Sequence, residues 1–256
     1  MKQLTCKSLK TPFLFALALL PIGAAAAYFT ILYQIESLVD AATLELAVSQ
    51  LGSVEALIAV YVVQIMVYTF VCGFIGYILA DKLGLMKPFR LEKKALKITL
   101  ILSLIGGILF SLDYWTFGAL IPGIQEADAA TLGWKVVLAS VLYGGIIEEL
   151  MLRLFMMSLI AWLIWKVFFR RFETAPTGAI IASNFISSIL FAAGHLPATV
   201  MTFGELTPLI LFRCFLLNGG FGLLFGWLYR KYGIQYSMLS HATLHIISKV
   251  IWALFI

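Results

Sequence analysis

Seven stretches of the chain are each apolar for about the length a helix needs to cross a bilayer, ~20 residues. They run over roughly 12–34, 54–80, 98–121, 134–165, 177–196, 205–229 and 234–256. The fourth is long enough to be tilted or to extend past the membrane. Composition agrees, with 62% hydrophobic and 12% charged residues, where a soluble domain carries about 25% charged. A chain of 256 residues with a mean hydropathy of +1.01 cannot hide that much apolar surface inside one soluble core. The expected fold is all-α: a polytopic membrane bundle of about seven transmembrane helices forming one membrane domain over residues 1–256. No soluble domain, low-complexity linker or internal repeat is visible.

Charge sorts by loop. Lys2, Lys7 and Lys10 precede the first span, and Lys82, Lys87, Arg90, Lys93, Lys94 and Lys97 lie between the second and third. Lys166, Arg170 and Arg171 follow the fourth, and Arg230 and Lys231 follow the sixth. If seven helices alternate, all of these fall on one side. The opposite loops hold Glu36, Asp40, Glu45, Glu55, Glu126, Asp128 and Glu205, with Lys135 the only basic residue. Basic loops stay in the cytoplasm, so the N-terminus is expected inside and the C-terminus outside. The same asymmetry accounts for the formal charge of +5 without a nucleic-acid partner. The run from Lys2 to Ala27 imitates a cleavable secretory signal. Tyr28 to Leu32 carry it on to spanning length, so an uncleaved first helix is expected. Cys6, Cys72 and Cys214 lie far apart and show no metal-binding spacing, so neither a disulfide framework nor a cysteine metal site is expected.

Away from the first residues of the predicted spans, six ionisable residues other than histidine remain inside them: Asp113, Glu148, Glu149, Arg153, Arg213 and Lys249. A charge at the bilayer centre costs about 2.5–3.5 kcal/mol on insertion scales, which marks such residues as functional candidates. Lys249, close to the C-terminus, is expected to snorkel to an interface. Asp113, beside Tyr114 and Trp115, is expected to sit at one. Arg213 either pairs with a buried carboxylate or snorkels. Glu148 and Glu149 lie deep in the fourth span, and neighbours on a helix point about 100° apart, so the two carboxylates meet different partners. Arg153, four residues past Glu149, shares its face and can neutralise it. Glu148 has only Gly144, Gly145, Met151 and Leu152 at such spacings, so its partner must come from another helix.

The chain has three histidines, His195, His241 and His245, all within or at the ends of predicted spans. His241 and His245 share one helical face, and His195 follows Phe191 at the same spacing. A lone membrane histidine is commonly an interhelical hydrogen-bond donor. Three of them, with two glutamates, predict a shared polar site. Such a set suits two kinds of amide hydrolysis. In one, a glutamate takes a proton from water and histidines stabilise the oxyanion. In the other, the histidines bind zinc, which activates the water. Buried Glu and His also build proton relays, so a proton-coupled transporter stays open, as does an ion-pair network that only fixes helix packing.

Glu148-Glu149-x-x-x-Arg153, Phe191-x-x-x-His195 and His241-x-x-x-His245 resemble the three ordered motifs of the CPBP intramembrane proteases, the CAAX prenyl endopeptidase and bacteriocin-processing (Abi) family. Gly222-x-x-x-Gly226 and the approach Tyr232-Gly233-Ile234 add to the resemblance. It covers about residues 134–249 and implies a catalytic core there, with the helices over 12–121 accessory. It also implies an intramembrane glutamic endopeptidase acting on a peptide or lipidated protein among membrane lipids, in a prokaryotic plasma membrane. Glu148 would be the base, assisted by His195. His241 and His245 would form the oxyanion site, with Glu149, Arg153 and Phe191 supporting. Many members carry Asn where His245 stands. Imidazole donates a hydrogen bond as Asn does, so no cofactor is expected, but three histidines and a glutamate also make a zinc set. An inactive relative serving as a scaffold or immunity partner is the remaining alternative. Simple alternation puts His195 near the outer end of its helix and His241 near the inner start of its own. Meeting Glu148 then requires tilt, or a segment near 233–237 that dips into the membrane.

Overall fold

The structure, a computed structural model, describes residues 6–256, with side chains described from Leu9 onward. Lys2 lies outside the described residues, as do the side chains of Cys6 and Lys7. Among the described residues there is no strand, and seven helices are long and apolar enough to cross a membrane. In chain order they are Leu9–Ser37, Val54–Lys82, Lys93–Ala119, Trp134–Phe168, Thr177–Phe203, Pro208–Tyr232 and Ile234–Phe255. Each predicted span has its counterpart, and the protein is an integral, multi-pass membrane protein. The outward faces stay apolar. Val60, Val63, Val67 and Val71 lie exposed along the second helix, and Leu100, Ile101, Leu104, Ile105 and Ile108 along the third. A continuous belt of this kind marks a lipid-facing surface.

Caps and glycines punctuate the chain. Asp40 caps a short helix, Ala41–Leu51, by accepting from the Thr43 amide, and Gly52, at φ 91°, closes it in a conformation that favours glycine. Ser53 then caps the second membrane helix by accepting from the Ala56 amide. A single residue, Gly233 (φ 113°), joins the sixth helix to the seventh. The seventh helix starts at Ile234, so residues 234–237 form its first turn rather than a separate dipping loop.

Membrane helices associate by close packing at small residues, because lipid removes the hydrophobic drive between them. A Cβ added to Gly145 on the fourth helix would lie 2.6 Å from the Ala242 Cβ and 2.9 Å from its Cα. One on Gly107 of the third would lie 2.6 Å from Ile247. Paired glycines, Gly106-Gly107 and Gly144-Gly145, thus let the seventh helix lie directly on the third and fourth. The first helix packs on the second and fourth, and the sixth on the fifth and seventh.

Four helices depart from α geometry near the bundle centre, the sixth through a π-wound turn over Phe215–Gly219. The fourth is α-helical over Trp134–Ala139 and Ser158–Phe168 but π-wound over Ser140–Glu148 and Leu150–Met157. Wide turns of this kind are rare and concentrate at functional sites. The fifth breaks at His195. Pro197 cannot donate to the carbonyl four residues back, and its ring crowds that carbonyl, so the chain restarts as Leu196–Phe203. The third unwinds after Ser111, whose carbonyl accepts from Trp252 Nε1 at 2.9 Å.

Two expectations are corrected. Asp113 is buried rather than interfacial. Arg213 grips both of its carboxylate oxygens, the Nε bonds being 2.9 and 3.0 Å. Lys249 does not snorkel. It is buried and lines a cavity, because its face of the seventh helix turns into the bundle while Ile246 and Val250 stay exposed on the other.

Candidate active site

Glu148 sits at the end of the first π-wound segment of the fourth helix, and His195 at the break in the fifth. Glu148 Oε1 and His195 Nε2 are 4.0 Å apart. His195 Nδ1 lies 2.8 Å from the Phe191 carbonyl. A carbonyl only accepts, so Nδ1 carries the hydrogen and Nε2 presents a lone pair toward Glu148. The helix break at Pro197 therefore sets both the position and the tautomer of His195. Phe191 also packs edge-on against this ring, with centroids 4.7 Å apart.

Glu149, fully buried, faces the other way and gathers three groups. Its Oε1 accepts from His241 Nδ1 at 2.9 Å, Ser237 Oγ donates to Oε2, and Arg153 Nε lies 3.4 Å from Oε2. The expected pairing of Glu149 with Arg153 is present, but the carboxylate also orients His241. Arg153 is as buried as Glu149, and its guanidinium lies over the Phe191 ring, 4.6 Å from the centroid. His241 stacks on Phe225 with centroids 4.3 Å apart and planes at 19°. Its Nε2 is 3.2 Å from Nε2 of His245, so the two rings share one hydrogen between them. Gly144 makes room for this pair, since a Cβ there would lie 3.1 Å from His245 Nε2.

Glu148, His195, His241 and His245 all line one cavity of about 340 Å³. That is near the lower end of the volumes typical of ligand sites. Thr30 and Tyr33 of the first helix and Phe110 of the third complete its wall. Glu149 and Arg153 stand behind it. Reading the sequence alone missed four neighbours of this site: Ser237, Phe225, Asn218 and Lys249. For Lys249 a signal existed, since it continues the His241–His245 face by one further step of four residues. Asp128, from the short helix Ile124–Ala130, also reaches the cavity. Burial and the neighbouring Asp113 push its carboxyl up to about 7, against the pull of Arg213 and Lys249.

Among the described residues, no three His, Cys, Asp or Glu side chains gather where they could hold a metal ion. Both nitrogens of His241 are engaged, one by Glu149 and one by His245, and His195 Nδ1 is held by the backbone.

Comparison with known proteins adds one match. Residues 130–247 fit the family model described as type II CAAX prenyl endopeptidase Rce1-like. No curated protein and no solved structure matches the chain. The matched segment runs from just before the fourth helix into the seventh and contains Glu148, Glu149, Arg153, Phe191, His195, His241 and His245. The segment that carries Glu148 and the three histidines is thus similar to the Rce1-like type II CAAX prenyl endopeptidases, a protease family, as the resemblance implied.

Proposed function

We propose that the protein is an intramembrane endopeptidase of the glutamic type. It hydrolyses a peptide bond of a membrane-associated or lipidated substrate without a metal. The observation that carries this reading is the facing of Glu148 and His195 across 4.0 Å at the wall of a cavity between the helices. A water set beside that gap reaches both groups. Glu148 takes one of its protons, and the His195 Nε2 lone pair accepts the other hydrogen and orients the oxygen. The oxygen attacks the carbonyl carbon, and the charge that develops on the carbonyl oxygen accepts the Nε2 hydrogen shared by His241 and His245. On collapse the C–N bond breaks, and Glu148 returns its proton to the leaving amine. Glu149 holds His241 in place throughout, and Arg153 balances the Glu149 charge.

Purified full-length protein should cleave members of a membrane-anchored peptide library, hold no stoichiometric metal, and keep its rate after chelation. Stoichiometric zinc, with activity lost on chelation and restored by zinc, would overturn the metal-free reading. The loop charges further support a cytoplasmic N-terminus in a prokaryotic plasma membrane. A topology reporter fused at Arg90 should read cytoplasmic and one at Glu126 external, and reversal at both positions would sink that orientation.

A further inference from the structure

Among the described residues, Lys249 is a buried cation without a bonded partner. It is 6% exposed, lines the same cavity as Glu148 and the histidines, and makes no hydrogen bond or ion pair with any described residue. An ammonium left so in the membrane interior is costly unless something meets it. The nearest acid on the cavity wall is Asp128, which is a poor counter-ion. One of its oxygens lies 4.0 Å from Arg213, and the other is buried with no partner. Its carboxyl, raised to about 7, is only partly ionised near neutral pH. Arg213 is itself engaged by Asp113. The end of the cavity near Lys249 therefore has room for one more negative charge.

We propose that Lys249 is the subsite for a carboxylate of the substrate, and so a specificity-determining residue of the cavity. This rests on the peptidase reading above. His241, His245 and Lys249 fall on one face of the seventh helix, so Lys249 stands about 6 Å along the axis from His245 and about 12 Å from His241. An extended peptide covers ~3.3–3.6 Å per residue. The carboxylate then lies about two to four residues from the bond that is cut. Either the α-carboxylate of a chain end or an acidic side chain supplies that chemistry.

The test uses full-length protein and three matched sets of membrane-anchored fluorogenic peptides. One set has a free C-terminus, one an amidated C-terminus, and one an amidated C-terminus with an acidic residue two to four positions from the scissile bond. Wild type should show a KM about 10-fold or more lower for a carboxylate set than for the plain amide, as a charge-assisted contact predicts. Lys249→Gln should erase that preference and Lys249→Arg should keep most of it. Which carboxylate set wins identifies the source. Short acetylated peptides, acid against amide, are also tested for raising the melting temperature of wild type, Glu148→Gln and Lys249→Gln. The acid should stabilise the first two and not the third. No turnover, with this binding selectivity intact, overturns the peptidase reading alone. Equal response of wild type to acid and amide overturns the subsite, even if Lys249→Gln does not fold. A preference that survives in Lys249→Gln overturns it as well.

Discussion

Glu148→Gln should extract from membranes and melt as the wild type does, yet turn over substrate at least ~100-fold more slowly. Gln keeps the size and hydrogen-bonding oxygen of the side chain and removes the proton acceptor. Little stability should go with it. Glu148 makes no hydrogen bond with any described residue, and His195 Nε2 lies 4.0 Å away at a cavity wall. No cation lies at a bonded distance that its loss would strand. The measurement is a peptidase rate set beside detergent-solubilised yield and melting temperature. A Glu148→Gln enzyme that retains near wild-type turnover would remove Glu148 from the role of base.

The neighbouring substitution should fail in a different way. Glu149→Gln leaves the Arg153 guanidinium fully buried with its one carboxylate gone. Breaking a buried pair by deleting one partner costs about 3–5 kcal/mol. Yield and thermal stability should therefore fall at least as far as activity. Gln can still accept from His241 Nδ1, so part of that ring's orientation survives in whatever protein folds. A Glu149→Gln protein that is well folded but inactive, beside an active Glu148→Gln, would show the two roles to be reversed.

What the sequence revealed and what it hid follow from how each signal is encoded. Span number is a local property: some twenty consecutive apolar residues announce themselves, and seven such runs became seven helices. The Glu149–Arg153 pair was legible for the same reason, because spacing along one helix fixes proximity. Asp113 and Arg213 are separated by 100 residues, and nothing in either neighbourhood names the other. The bulk of Tyr114 and Trp115 suggested an interface, where the fold instead buries the acid against Arg213. Lys249 misled because nearness to the chain end was read as nearness to the membrane edge. The π-wound turns left no trace, since Gly144-Gly145-Ile146-Ile147 suits an α-helix equally well. What selects the wider winding is the approach of the seventh helix over those glycines, a tertiary contact that no local pattern contains.

The one-residue link at Gly233 has a mechanical consequence. A joint that short leaves no slack between the sixth and seventh helices. Ser237 Oγ also lies 3.0 Å from the Phe225 carbonyl across them, and the His241 ring stacks on Phe225. Those two helices are tied to each other near the link, and His241 and His245 lie just beyond it. On the facing wall, His195 stands at an interrupted helix, with Pro197 weakening the backbone just beyond it. Compliance is thus distributed unevenly around the cavity. On the proposed mechanism the side that would receive the oxyanion is the braced one, and the side that carries His195 is the interrupted one.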